Sequence, residues 1–290
     1  MSDSAWKEVF PYESLWYETK DGYRVHYIDQ GSGIPVVIVA GFLGWAFYFR
    51  KLIRSLLEQR YRVIVVDHLG FGLSGKPDRY EYSLEKHLTH LTKFLTADLQ
   101  LPRFHLIGHG HGAPIALGYA VQHHERIRRI LLLNPVLFPG MPYVRCQWML
   151  HVPYLWKLLC YRTNLYMRSN LAWGTRMHSL SKLEKSAFLT PYRHRRGRRP
   201  WYSLFIHYRE KPRDPSYALL NEIVLRLPLL GRKAILCLGG EKDDLYFPEN
   251  AERLLHVLPQ TLMLNFPKAG HYILEDTPED VIPIICRFLS

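Results

Sequence analysis

The chain has 290 residues, 48% of them hydrophobic and 22% charged, with a formal net charge of +12. That is long enough to bury a sizeable core, as one large α/β domain or two small ones, and the composition excludes disordered or fibrous classes. The longest apolar stretch, Ile34 to Phe49, is interrupted by Pro35, Gly41 and Gly44 and falls short of the roughly 20 unbroken apolar residues of a membrane span; the first residues, Met1 to Glu8, contain no apolar signal region.

In chain order, residues 14–29 predict a hairpin turning at Asp21-Gly22, the favoured two-residue turn. Val36–Ala40 reads as a buried strand, Phe47–Glu58 as a helix, Tyr61–Asp67 as a strand and Ser83–Asp98 as a helix. A short apolar run, Phe104-His105-Leu106-Ile107, leads into Gly108-His109-Gly110-His111-Gly112 and a helix-like run from Ala113 to Gln122. Ile127–Asn134 predicts another strand. After Pro135 the alternation stops: residues 136–230 lack strand patterning and are rich in Trp, Tyr, Leu and Arg. It resumes with strands predicted over 233–239 and 261–267. The expected architecture is a mainly parallel sheet with helices on both faces, its core formed by residues 1–135 and 231–290 and a helical cap inserted over 136–230.

The turn at 108–112 carries the chemistry. A strand, a sharp G-x-nucleophile-x-G turn and a helix make a nucleophile elbow, whose central residue supplies the attacking group. Here that residue is Gly110, which has no side chain. The rest of a triad follows in the expected order of nucleophile, acid and histidine. Gly240-Glu241-Lys242-Asp243 puts a carboxylate just past one strand, and Lys268-Ala269-Gly270-His271 puts an imidazole just past the next. The elbow residue is expected at positive φ, a conformation that strains any side chain by ~1–3 kcal/mol and that glycine adopts freely. His109 and His111 flank the elbow as candidate substitute bases, and Ser74 reads as structural. The four cysteines, Cys146, Cys160, Cys237 and Cys286, show no close-pair metal spacing and read as buried thiols of a reducing, cytoplasmic compartment. The pattern calls for no metal or cofactor.

These motifs resemble the haloalkane dehalogenase and epoxide hydrolase branch of the α/β-hydrolase superfamily, and within it the β-lactone decarboxylases of bacterial long-chain olefin biosynthesis. The resemblance rests on Gly44-Trp45-Ala46-Phe47-Tyr48-Phe49-Arg50, on the D-H-x-G-x-G-x-S-x-K-P turn from Asp67 to Pro77, and on Leu133-Asn134-Pro135-Val136-Leu137-Phe138-Pro139 leading into the cap. Asp214-Pro215-Ser216-Tyr217-Ala218-Leu219 at the cap's end, Gly240–Asp243 and Ala269–Asp276 complete it. It implies an α/β-hydrolase fold with an eight-stranded, mostly parallel sheet, and an oxyanion hole made by the backbone N–H groups of Phe42 and His111. Three departures bear on activity. The family's Asp nucleophile is Gly110, the Trp after it is His111, and the H-G-N-P loop reads Ala40-Gly41-Phe42-Leu43. Displacement of halide at carbon is therefore not expected. Three readings remain open: a scaffold that binds a hydrophobic carbonyl or lactone ligand, a non-covalent hydrolase or lyase using His271 and Asp243, and a peripheral scaffold.

All the excess charge lies in the predicted cap. Residues 136–230 hold 16 Lys and Arg against 4 Asp and Glu, while the remainder is balanced at 22 of each. The densest run is Arg193–Arg199. Upstream, Trp148, Met149, Tyr154, Leu155, Trp156, Leu158, Leu159 and Tyr161 alternate with Arg145, Lys157 and Arg162, and Pro153 interrupts any single helix. This pattern fits a cap around a small hydrophobic ligand with a solvated basic face. It also fits contact with an anionic membrane surface at the inner face of a membrane, or with an acidic protein. No nucleic-acid fold motif accompanies it.

Overall fold

The computed structural model describes residues 5–139, 152–207, 212, 215–244 and 248–290. The sequence readings at Arg145, Cys146, Trp148, Met149 and Asp214 lie outside them. Eight strands form one sheet: β1 (Leu15–Glu18), β2 (Arg24–Gln30), β3 (Pro35–Val39), β4 (Arg62–Val66), β5 (Phe104–His109), β6 (Ile127–Leu133), β7 (Ala234–Gly240) and β8 (Leu262–Phe266). Their order is β1-β2-β4-β3-β5-β6-β7-β8. β2 pairs antiparallel with β1 and β4, and every other pair is parallel. The central strands are covered on both faces, which is why Val36–Val39, Val63–Val66 and Leu106–Ile107 are continuous apolar runs rather than alternating ones.

Two local expectations change. The hairpin turn is longer than two residues. Thr19 N–H donates to Tyr23 O, and Gly22 N–H donates back to Thr19 O at φ +76°, so the loop is a tight turn closed by a left-handed glycine. The helix expected over Phe47–Glu58 is two, Trp45–Tyr48 and Arg50–Glu58, separated at Phe49. The helix after β4 starts at a Ser83 cap, runs over Leu84–Lys93 and widens into a π-turn over Phe94–Asp98.

Between β6 and β7 the described elements are all helical: Pro153–Lys157, Leu165–Gly174, Lys182–Leu189, Arg195–His207 and Pro215–Arg226 are the α-helices among them. The basic run within this segment is not simply a solvated face. The Arg198 guanidinium is buried and donates to the carbonyls of Tyr161, Arg162, Tyr192 and Arg193, while Arg199 pairs with Asp78. A second buried arginine ties this segment to the sheet domain. Arg50 pairs with both oxygens of buried Glu275 and with Glu184 at 2.6 Å, and Lys51 also reaches Glu275, at 3.0 Å. Glu184 in turn closes the capping box of its helix with Ser181.

Candidate active site

β5 lies in the middle of the sheet, and its carboxyl end opens into the turn at Gly110. In open parallel sheets this end of the central strands is where ligands bind. Gly110 N–H donates to Leu133 O at the end of β6, and Gly110 O accepts from Ala113 N and Val136 N. Its φ is +51°. The helix Gly112–Gln122 begins at once, and a Cβ on Gly112 would sit 2.3 Å from Val39 O. The elbow therefore needs glycine at 112 for close approach and holds residue 110 in the left-handed region, as its motif predicts.

A Cβ built on Gly110 would stand 3.1 Å from both Nε2 and Cε1 of His271. The imidazole thus faces the position from which a nucleophile would act. On its other side His271 Nδ1 lies 2.7 Å from Asp243 Oδ2. A carboxylate only accepts, so Nδ1 is the donor, which leaves Nε2 as the ring nitrogen that faces Gly110. Asp243 is held by the turn after β7, where Asp243 N donates to Gly240 O and Lys242 N to Ala269 O. The three residues expected to assemble, Gly110, Asp243 and His271, are brought together.

Two supporting residues were not picked out from sequence. Asn134, fully buried at φ +42°, donates from Nδ2 to the same Asp243 oxygen at 2.8 Å and to Gly270 O at 3.4 Å. Its signal was a polar residue ending an apolar strand ahead of a proline. Asp276 is also fully buried, and its carboxylate accepts from Gly270 N, Arg176 N and Met177 N. It fastens the histidine turn to the end of the cap helix Leu165–Gly174, whose Gly174 O accepts from Tyr272 N.

His109 does not face the site as a base. Its Nε2 lies 3.2 Å from His271 O, the ring packs against Tyr48, and burial with the neighbouring His271 holds its pKa well below the ordinary value. A neutral ring must donate that hydrogen bond, so His109 braces the histidine turn. His111 is buried with its ring 5.0 Å from that of Phe42. Phe42 O accepts from the Tyr192 hydroxyl, which accepts from Gly72 N, and the Phe42 ring stacks near Phe71, His68 and His87. Burial brings His68 down to about 4 and holds His87 well below the ordinary imidazole value. This buried cluster is therefore aromatic and uncharged at neutral pH.

Ser74 is structural, as expected: its hydroxyl donates to Asp67 O and accepts from His26 N. Asp67 itself accepts from Ala46 N and Leu73 N and pairs with His26 Nδ1. Among the described residues no group of three His, Cys, Asp or Glu is placed to hold a metal ion, and no helix is long and apolar enough to cross a membrane.

Residues 34–278 match the family model of the alpha/beta hydrolase fold, and the chain belongs to this family. Its relatives include a cis-3-alkyl-4-alkyloxetan-2-one decarboxylase of Shewanella oneidensis, 30% identical over 94% of this chain and 87% of that protein. Haloalkane dehalogenase 2 of Mycobacterium tuberculosis is 30% identical over 97% of this chain and 96% of its own length. Among solved structures, the haloalkane dehalogenase DatA of Agrobacterium tumefaciens superposes with a TM-score of 0.82 at 20% identity, covering 99% of this chain and 98% of that one.

Proposed function

We propose that the site binds a hydrophobic carbonyl or lactone-type ligand without forming a covalent bond to it. The observation that carries this reading is Gly110: the imidazole faces residue 110, and residue 110 has nothing to attack with. The ligand class is suggested by the buried, uncharged aromatic cluster of Phe42, Phe71, His68 and His87 beside the family's oxyanion position, and by the alkyl-substituted oxetanone named for the Shewanella relative. The backbone N–H groups of Phe42 and His111, in the family's oxyanion positions, would take the ligand's carbonyl oxygen. Titration with a long-chain dialkyl β-lactone, followed calorimetrically, should give saturable binding with the compound recovered intact. Failure to bind any such lactone, ester or amide would remove this reading.

One observation favours a second reading, in which the site turns its ligand over. The His271–Asp243 pair keeps its 2.7 Å hydrogen bond, and Asn134 supports the same carboxylate oxygen. An imidazole so oriented can act as general base. Nε2 would take a proton from water as its oxygen bonds to the ligand carbonyl carbon. The carbonyl electrons would move to the oxyanion held by the two N–H groups. Collapse would break the ring C–O bond, and the leaving alkoxide would recover the proton from Nε2. Steady hydrolysis abolished by His271→Gln would establish this route, whereas binding without product at any pH favours the first.

A further inference from the structure

A second cavity, of about 500 Å³, opens between the cap helices Leu165–Gly174 and Lys182–Leu189. Its floor is apolar, with Leu171 and Leu180 buried and Leu189 half-buried. Its rim carries Arg168, Lys182, Lys185 and Arg193, and no carboxylate is among the described residues that line it. Arg193 is held there by donating to Ser186 Oγ at 2.6 Å, while Arg168, Lys182 and Lys185 are exposed. The exposed cations Arg168, Lys182 and Lys185 around one opening raise the local positive potential and favour an anion there.

The surroundings say what kind of anion. On the first of these helices Leu165 is 52% exposed and Trp173 37%, and Met177, just beyond it, is 41% exposed. Tyr154 and Leu158, earlier in the cap, are also exposed, with the exposed cation Lys157 between them. Large apolar side chains standing out among cations are costly in water but suit the boundary between headgroups and acyl chains of an anionic bilayer. A free inorganic anion would make no use of the apolar floor or these side chains.

We propose that the cap is a membrane-docking surface and that this cavity seats the phosphate of an anionic phospholipid, the exposed Leu165 and Met177 entering the interface beside it. The proposal stands independently of what the elbow site binds. It also places the docked surface close to that site, because Thr175, which lines the cavity, follows Gly174, whose carbonyl accepts from Tyr272 N next to His271.

The test is flotation of the full chain with vesicles of phosphatidylcholine alone and with vesicles containing phosphatidylserine or phosphatidylglycerol. Binding should appear only with anionic lipid and should fall steeply with added salt. Each basic residue near such a surface contributes a ~5-fold gain, so Lys182→Ala with Lys185→Ala should weaken binding ~30-fold. The charge-matched control Arg103→Ala with Arg232→Ala, outside the cap cavity, should change it little. Thermal unfolding of each variant verifies that it is folded. Equal binding to uncharged vesicles, loss of the same size in the control, or no vesicle binding would overturn the proposal. So would capture of a monomeric long-chain carboxylate in the absence of any bilayer affinity.

Discussion

Replacing Gly110 by alanine should destabilise the protein, although it adds only a methyl group. The cost has two parts. At φ +51° an L-residue carries a penalty of ~1–2 kcal/mol that glycine avoids. The new Cβ would also stand 3.1 Å from two ring atoms of His271, closer than van der Waals contact. The ring cannot swing aside freely, because Nδ1 is held 2.7 Å from Asp243, and Asn134 holds the same carboxylate oxygen at 2.8 Å. The expected loss is therefore ~1–3 kcal/mol, with Gly110→Asn or Gly110→Asp losing less than Gly110→Ala because these side chains tolerate the left-handed region. Urea unfolding should show lower midpoints at unchanged slope, in the order glycine, then asparagine or aspartate, then alanine. An alanine variant as stable as the parent, or more so, would refute both the positive φ at the elbow and the close approach of His271.

Neither ring nitrogen of buried His87 has a protein hydrogen-bond partner, so His87→Phe should leave stability at pH 7 unchanged or raised. The pH dependence has a definite sign. His68, with its pKa lowered from 6.5 to about 4, and His87, held well below 6.5, stay neutral in the folded chain while the unfolded chain protonates; stability is then complete above pH 6.5 and is lost as pH falls toward 4, at ~1.4 kcal/mol per pH unit for each imidazole. Acid titration of the unfolding free energy should therefore be shallower by one proton in His87→Phe, and an unaltered slope would contradict the buried neutral ring. Arg50→Ala, which leaves buried Glu275 with Lys51 as its remaining cation and releases Glu184, should cost ~3 kcal/mol, and Arg50→Met with Glu275→Leu should recover much of it. Chemical denaturation of the two variants checks this, and equal losses in both would sink it.

The parts of the fold that were legible are those written in short-range pattern. The apolar runs of β3, β4 and β5 declared themselves because strands buried on both faces need no alternation. The elbow and the turns at Asp243 and His271 were readable because glycines at fixed offsets leave few conformations open. The hairpin turn was misjudged in length because Asp-Gly suits both a two-residue turn and the left-handed end of a longer one, and only the Thr19–Tyr23 hydrogen bond separates them. Arg198 reads like its neighbours in a basic run, and its burial depends on four carbonyls brought in from two segments. Asn134 reaches Asp243 109 positions away, and Asp276 joins nearby Gly270 to Arg176, 100 positions away, so their places around His271 could not be read from local pattern alone. For the same reason His109, a candidate base by its position beside the elbow, became recognisable as a brace only when the His271 carbonyl was found beside its Nε2.

Intact-protein mass spectrometry after incubation with a long-chain dialkyl β-lactone tests the central claim most directly. The parent chain should keep its mass at saturating lactone, because residue 110 offers no attacking atom. Gly110→Asp combined with His271→Gln serves as the positive control: it supplies a carboxylate and removes the base that would release an ester, so it should gain the mass of one lactone. An adduct on the parent chain, mapped by peptide analysis to a residue of the pocket, would contradict the account and identify a nucleophile at another position.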